Sequence, residues 1–211
     1  PTIGNVVSSL ETGIYKVEVE DNLGCTTSAV ANITEPDELT ATINQRDITC
    51  NTQVDGRLEV IPSGGTPDYS YTWYKMPDTT TPYSTVAILE HLEAATYQVK
   101  VKDSNNCSWT SNLVTIVEPT PIEIIYNVQD VAIYGEATGI IDLTITGGMP
   151  GVAGYKIEWL RGPSIVTDSA DPNYNKELED ITNLLAGDYY VGVTDENGCM
   201  EFATIEVKQP E

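Results

Sequence analysis

The sequence predicts an all-β protein that is built from tandem repeats. Three observations predict this fold class. One motif occurs three times, apolar and polar residues alternate with a period of two, and no convincing run of helical periodicity is present. The 16 glycines and 12 prolines among 211 residues supply the turns that such a fold needs.

The first motif is a tyrosine followed six residues later by an aspartate and ten residues later by a cysteine. Each copy continues into an apolar alternation that stops at a proline, namely Pro36, Pro119 and Pro210. The three tyrosines are separated by 82 and then 92 residues, so the period is that of a small domain. The three copies begin at Tyr15, Tyr97 and Tyr189.

A second motif occurs twice, upstream of the second and third copies of the first. A glycine, Gly56 or Gly139, precedes a Gly-Gly pair by eight residues, and an aromatic alternation ending at Trp73 or Trp159 follows. The longer second period fits a longer loop between Trp159 and Tyr189. The predicted organisation is the C-terminal portion of a truncated repeat (1–36) and two complete repeats (37–119 and 120–211), an excerpt from a longer tandem array.

The strands follow from the alternation, as in Tyr15-Lys16-Val17-Glu18-Val19. Asn22-Leu23-Gly24 and its counterpart at 196–198 tolerate the positive φ of a tight hairpin. Some 80 residues with about seven short strands describe an immunoglobulin-like β-sandwich, and several in series predict a rod.

At these residues the chain resembles the SprB repeat family of Bacteroidota surface proteins. The resemblance is carried by Gly-Gly-Thr-Pro-x-Tyr-x-Tyr-x-Trp at 64–73, Ala-x-Tyr-x-Val-x-Val-x-Asp at 95–103 and the Asn-Gly-Cys turn ending at 199. It implies a segment of a very large secreted adhesin, exported by the type IX system, carried on the cell surface and acting in attachment and gliding motility. The departures are Ile133 at a cysteine position, Ala95 for glycine and Met149-Pro150 for Thr-Pro.

Four cysteines at repeat-locked positions favour disulfides over free thiols. Cys50 lies near the A–B turn of its sandwich, whereas Cys107 and Cys199 follow F–G hairpins at the opposite end. A Cys50–Cys107 bond would have to cross the domain, beyond the ~7 Å Cα separation that a bridge allows. Head-to-tail stacking would bring Cys50 to Cys199, which is the favoured pairing. Cys50–Cys107 and reduced thiols remain as alternatives.

The recurring Asp21, Asp103 and Asp195 precede turns rich in Asn and Gly. The favoured interpretation is a turn aspartate that accepts hydrogen bonds from its own backbone. The alternative is a Ca²⁺ loop, although no Asp-x-Asp-x-Asp-Gly spacing supports it. No cofactor and no other metal are expected.

Two tryptophans and the repeated tyrosines are predicted to lie in the core, and a third tryptophan is a candidate surface contact. Trp73 and Trp159 are expected in the core, since Ile157 takes the place of one alternating tyrosine, and a sugar-stacking platform is the alternative. The repeated tyrosines fit a tyrosine corner, packing inward with the hydroxyl bonded to nearby backbone. Trp109 does not recur, so it is the candidate for an exposed surface contact.

Catalysis is not expected. His91 is the single histidine, no Gly-x-Ser-x-Gly elbow accompanies it, and it is predicted to lie on the surface. Among 32 acidic residues, nothing singles out a pair for glycoside cleavage.

The net charge of −22 excludes nucleic acid as an expected partner, and no segment has the ~20 apolar residues that insertion into a membrane needs. The expected partners are adjacent repeats of the same chain. The predicted function is a structural stalk that presents a distal adhesive region. The alternative is a carbohydrate-binding module whose repeats contact polysaccharide.

Overall fold

The computed structural model describes residues 6–161 and 179–211, and all regular elements in these ranges are β-strands. The loop that the sequence predicts between Trp159 and Tyr189 falls largely on residues outside this description. In chain order the strands are β1 Gly13–Glu20, β2 Thr26–Ile33, β3 Thr40–Arg46, β4 Gly56–Ser63, β5 Ser70–Lys75, β6 Ile88–Leu92, β7 Ala95–Lys102, β8 Ser108–Thr110, β9 Val114–Ile116, β10 Glu123–Gln129, β11 Gly139–Thr146, β12 Lys156–Arg161, β13 Ile181–Leu184, β14 Gly187–Thr194 and β15 Met200–Val207.

Two sandwiches have the same strand order. In the first, one sheet is β3-β4-β6, and the other contains β5, β7 and β8 in that order, with β9 also paired to β7. In the second, the sheets are β10-β11-β13 and β12-β14-β15. We letter the strands as in an immunoglobulin domain. Strands A, B and E form one sheet and are β3, β4 and β6 in the first sandwich and β10, β11 and β13 in the second; strands C, F and G form the other sheet and are β5, β7 and β8–β9 in the first and β12, β14 and β15 in the second. All neighbours are antiparallel, which is an immunoglobulin-like arrangement. The predicted all-β, immunoglobulin-like fold class is confirmed.

Alternation along the strands explains why the sheets pack face to face. In β7 the side chains of Tyr97, Val99 and Val101 are buried, while the residues between them point outward. Strand β14 repeats the pattern with Tyr189, Val191 and Val193. Fully burying one such side chain stabilises the fold by about 1.5–3 kcal/mol, so a face of three specifies the strand register.

Each sandwich has its own core. One cluster of buried residues lies within 39–116 and the other within 122–207, and they have no residue in common. Trp73 is at the centre of the first and Trp159 at the centre of the second. The β1–β2 hairpin belongs to neither cluster, and its Val17 and Val19 are exposed.

The two ends of a sandwich differ in what they carry. We call one end the F–G pole, which contains the F–G turn, the B–C loop and the first residues of the repeat. The opposite end, the A–B pole, carries the turn between strands A and B. His91 lies near the A–B pole as an exposed residue of β6, with a φ of 54° where the pairing with β4 shifts register.

Candidate functional site

The F–G pole is organised around one aspartate. Asp103 accepts hydrogen bonds at Oδ1 from the Cys107 backbone N–H (2.8 Å) and at Oδ2 from the Thr66 N–H (3.0 Å). In the second sandwich Asp195 does the same with Cys199 (2.9 Å) and Met149 (2.9 Å). Each carboxylate therefore joins an F–G turn to a B–C loop.

Backbone N–H donors lower the pKa of two of the turn aspartates, Asp103 and Asp21. The Thr66 N–H, and after it the Cys107 N–H, holds the pKa of Asp103 below its usual value, although burial opposes this. In the β1–β2 hairpin, the Cys25 and Leu23 N–H groups lower the pKa of Asp21 in the same way. These carboxylates accept from backbone N–H groups, as the turn interpretation requires. Within 6–161 and 179–211 no group of three or more His, Cys, Asp or Glu side chains gathers as metal ligands.

The B–C loop reaches the aspartate because it begins with two glycines. Gly64 and Gly65 have φ of 73° and 64°, and Gly147 and Gly148 have 77° and 57°. The backbone comes so close to the start of the repeat that a Cβ on Gly64 would collide with the Glu38 carbonyl oxygen. Gly65 donates its N–H to the Asp37 carbonyl (2.7 Å), so the loop also holds the first residues of the repeat.

A disulfide joins the two sandwiches at their poles. Cys50, in the A–B turn of the first, is bonded to Cys199, in the F–G turn of the second, with Cα atoms 5.6 Å apart and a sequence separation of 149. Asn197 Nδ2 also donates to the Thr49 carbonyl across the joint (3.0 Å). The bond has the between-repeat connectivity that the sequence favours over Cys50–Cys107.

The A–B turn that presents Cys50 is held by its own hydrogen bonds. Asp55 accepts at Oδ1 from the Thr49 N–H (3.0 Å) and at Oδ2 from the Thr49 hydroxyl (2.5 Å), and these contacts lower the pKa of Asp55. Asn51 Nδ2 donates to the Pro119 carbonyl (3.1 Å), which ties the turn to the linker. A groove between the repeats is lined by residues 50–53, 119–122 and 198–201 together with Gly148 and Asp195.

The remaining two cysteines are free and exposed. Cys25 occupies the turn of the β1–β2 hairpin, and Cys107 occupies the F–G turn of the first sandwich. In the second sandwich the A–B turn carries Ile133 and Tyr134 at the positions of Cys50 and Asn51, and both are exposed. That turn is closed in a similar way, by the Ala132 N–H donating to Thr138 Oγ1 (2.9 Å).

The repeated tyrosines share one contact. The hydroxyl of Tyr97 donates to the Glu93 carbonyl (3.2 Å), that of Tyr189 to Leu185 (2.9 Å) and that of Tyr15 to Glu11 (2.9 Å). Tyr97 and Tyr189 are buried, and burial, reinforced by Tyr83 and Glu93, raises the pKa of Tyr97 to about 12. Tyr15 is half-buried, because no second sheet covers the β1–β2 hairpin in the described structure.

Both predicted core tryptophans lie inside their sandwiches. Trp73 and Trp159 are buried, and Trp73 Nε1 donates to the Val86 carbonyl (2.9 Å). Trp109 is not the exposed contact that the sequence suggested, since it is half-buried and packs against the core. Its cross-strand partner is Val101, which faces inward, and paired residues on adjacent strands point to the same side of the sheet.

Two features of the site were missed from the sequence. Tyr69 and Tyr155 donate their hydroxyls to the carbonyls of Gly64 (2.7 Å) and Gly147 (2.6 Å), closing the B–C loop. A tyrosine after the Gly-Gly pair in both repeats was the available signal. The second is an aromatic pair, Tyr190 and Phe202, on the outer face of the β12-β14-β15 sheet, with Phe202 69% exposed.

Comparison with solved structures gives similarities of low sequence identity. The N-terminal eight Ig domains of Down Syndrome Cell Adhesion Molecule match with 12% identity and a TM-score of 0.49, over 96% of this chain and 29% of that one. Drosophila OTK extracellular domains 3–5 match with 13% identity and a TM-score of 0.39, over 93% and 70%. A C-terminal intimin fragment, in complex with the translocated intimin receptor, matches with 13% identity and a TM-score of 0.38, over 82% and 64%. The fold assignment rests on the strand order rather than on these similarities.

Comparison with curated proteins returned no match. Among the described residues no helix is long and apolar enough to span a membrane. The family model that matches is the SprB repeat, over residues 42–76, from strand A to the end of strand C of the first sandwich. With the disulfide and the immunoglobulin-like fold, this match indicates an adhesin-type extracellular repeat, as found in cell-surface or secreted proteins. The resemblance to the SprB repeat family is thus confirmed over residues 42–76.

Proposed function

We propose that this chain is a stalk segment of a large secreted bacterial adhesin, in which sandwiches stacked end to end hold a distal adhesive region away from the cell. The observation that carries the proposal is the Cys50–Cys199 bond between opposite poles of two sandwiches. Export by the type IX system, attachment and gliding belong to the proposal through the SprB resemblance. The proposal assigns the chain no catalytic activity and no cofactor.

The joint explains how a stalk would resist bending. The sandwiches are connected once by the chain near Thr120 and Pro121 and a second time by the disulfide and the Asn197–Thr49 hydrogen bond. Two separate connections restrict hinge motion about either one, and proline stiffens the peptide connection further. Strands of up to eight residues at ~3.3 Å per residue give each sandwich a length of roughly 26 Å before its loops are added.

Small-angle X-ray scattering of the full chain tests this proposal. A rod of sandwiches should have a radius of gyration well above the ~17 Å of a compact 211-residue globule. Cys199→Ser should broaden the distribution of interatomic distances, because one of the two connections is lost. The matched control is Cys107→Ser, which removes a free cysteine from the equivalent turn. A compact radius in the wild type, or no effect of Cys199→Ser, would contradict the stalk.

A second candidate function is polysaccharide binding, which the aromatic pair favours. Phe202 lies over Gly192, where an added Cβ would be 3.0 Å from its ring, and Tyr190 is on the neighbouring strand of the same face. Flat aromatic surfaces of this kind stack on sugar rings. The equivalent positions of the first sandwich carry Gln98 and Thr110 instead.

Binding to a panel of polysaccharides separates the two functions. If the repeats contact sugar, saturable binding should fall at least tenfold in Phe202→Ala, since a stacking aromatic is removed. Leu113→Ala is the control, because this exposed apolar residue lies in the other sandwich. Absence of saturable binding in the wild type would exclude polysaccharide binding and leave the stalk as the proposed function.

A further inference from the structure

The turns that carry Cys107 and Cys199 have one geometry. In each, the aspartate N–H donates to the cysteine carbonyl, at 3.1 Å for Asp103 and 3.0 Å for Asp195. The residue before the cysteine donates back to the aspartate carbonyl, at 3.0 Å and 3.1 Å. That residue has positive φ in both, 65° at Asn106 and 83° at Gly198. Cys107 is therefore presented in the same way as a cysteine that is bonded.

The free turn also has the asparagine that makes the second contact of the joint. Asn197 donates to the Thr49 carbonyl across the joint, and its equivalent in the first sandwich is Asn105. Asn105 is exposed, and its Nδ2 donates to Thr66 Oγ1 of its own B–C loop (2.8 Å). A rotation of this side chain would free the amide to reach a carbonyl of a docked turn.

From this repeated arrangement we infer that Cys107 forms a disulfide between repeats, and that its partner is the cysteine in the A–B turn of another repeat of this type. The inference rests on the proposed stacking of repeats. The Cys50–Cys199 bond points to this partner, because in it the equivalent F–G turn cysteine is bonded to a cysteine of an A–B turn. The hairpin turn at Cys25 presents its cysteine through the same aspartate contacts and is a third copy.

The chemistry is oxidation of two thiols by a small or protein disulfide. The Cys107 thiolate attacks the oxidant disulfide and forms a mixed disulfide, releasing one thiol. The A–B turn thiolate then attacks the Cys107 sulfur and releases the second thiol. Two cysteines lose two protons and two electrons, and one oxidant disulfide becomes two thiols.

The residue at the Cys50 position of each A–B turn then determines which joints between repeats carry a disulfide. An A–B turn with cysteine at the Cys50 position can bond to the next F–G turn, whereas one with isoleucine cannot. Ile133 occupies this position in the second sandwich, although its turn keeps the contact of Asp130 with the Lys208 N–H (2.8 Å) that Asp47 makes with Val117 (3.0 Å). Cysteine or isoleucine at one position thus separates bonded from unbonded joints.

The test inserts a second copy of residues 37–119 into the full chain after Pro119. The first copy then offers Cys50 to Cys107 of the second, and the second copy keeps its Cys50 for Cys199. After refolding in a glutathione redox buffer, non-reducing peptide mapping should find a Cys50–Cys107 bond as well as Cys50–Cys199. About half of the total Cys107 should resist alkylation, in proportion to one bonded copy of two.

Matched variants assign the bond to its copy. Cys107→Ser in the second copy should abolish the Cys50–Cys107 peptide, whereas Cys107→Ser in the first copy should leave it unchanged. Cys50→Ile in the first copy, which imitates the third repeat, should also abolish it. The inference is overturned if both Cys107 thiols remain alkylatable, or if the first-copy serine removes the peptide, since the bond would then lie within one repeat. Loss of Cys50–Cys199 from the unaltered chain would instead count against the stacked stalk.

Discussion

Asp103 and Asp195 are the residues on which the F–G poles depend. Each is almost fully buried, with 5% and 6% of its surface exposed, and each accepts backbone hydrogen bonds at both carboxylate oxygens. An asparagine has the same shape, but only one of its two terminal atoms can accept. The other would place an NH₂ group against a backbone N–H, leaving both donors without an acceptor.

We therefore expect Asp103→Asn to lower the melting temperature of the first sandwich by several degrees at pH 7, as measured by circular dichroism. Asp68→Asn is the control, because it makes the same charge change at an exposed residue of the same loop, and its φ of 76° suits asparagine. Equal effects of the two substitutions would show that charge, and not the two hydrogen bonds, matters at position 103.

The effect of Asp103→Asn should depend on pH. Because the folded state holds the pKa of Asp103 below its usual value of about 3.9, the unfolded chain takes up the proton first as pH falls. The stabilisation is therefore complete above about pH 4 and is lost as pH drops through the lowered pKa. The difference in melting temperature between wild type and Asp103→Asn should shrink below pH 4, and a constant difference down to pH 2 would contradict this assignment.

At the scale of elements, the B–C loop depends on glycine for two separable reasons. Gly147 and Gly154 have nearly the same φ, 77° and 78°, so a side chain strains the backbone at either position. Only at Gly147 would the added Cβ also collide, with the Pro121 carbonyl oxygen, whereas nothing lies within 4 Å of it at Gly154. The pair therefore distinguishes backbone strain from steric contact.

Urea unfolding of the two alanine variants measures the cost of backbone strain and the cost of the steric collision. Gly154→Ala should cost about 1 kcal/mol, the usual penalty for a non-glycine residue at positive φ. Gly147→Ala should cost clearly more, because the start of the repeat must move away from the loop. Equal losses would mean that the loop can shift from Pro121 without penalty, and that it does not hold the linker in place.

At the scale of the whole molecule, each of the two sandwiches has a separate hydrophobic core. Because the buried clusters of the two sandwiches share no residue, a cavity in one should leave packing in the other intact. Leu58 and the equivalent Ile141 are both fully buried in their respective second strands. These two positions offer a matched pair for testing the predicted repeats 37–119 and 120–211.

Leu58→Ala should destabilise the first sandwich by about 2–5 kcal/mol, through lost burial and the cavity that remains. Hydrogen–deuterium exchange should quicken in peptides from 37–119 and stay unchanged in those from 120–211. Ile141→Ala should give the reverse pattern. Faster exchange throughout the chain in either variant would show one cooperative unit and contradict the predicted division.

The strands themselves could be predicted from the sequence. Alternation in Tyr97, Val99 and Val101 predicts a half-buried strand, and the strand exists because those three side chains face the opposite sheet. Trp109 shows the limit of such local arguments. Its neighbours in sequence do not reveal its side of the sheet, because pairing with Val101 across the sheet determines that side.

By itself, the sequence determined the all-β class, the repeat motifs, the aspartate turns and the inward aromatic faces, because each follows from local periodicity or from spacing along the chain. It also favoured Cys50–Cys199, from strand topology together with the expected head-to-tail stacking of repeats. Only the tertiary structure decided that Asp103 and Asp195 join two loops, that Asn197 reaches Thr49, and that Phe202 and Tyr190 share an exposed face. These contacts connect residues far apart in sequence, and the distance between such residues depends on how the sheets pack rather than on any local pattern.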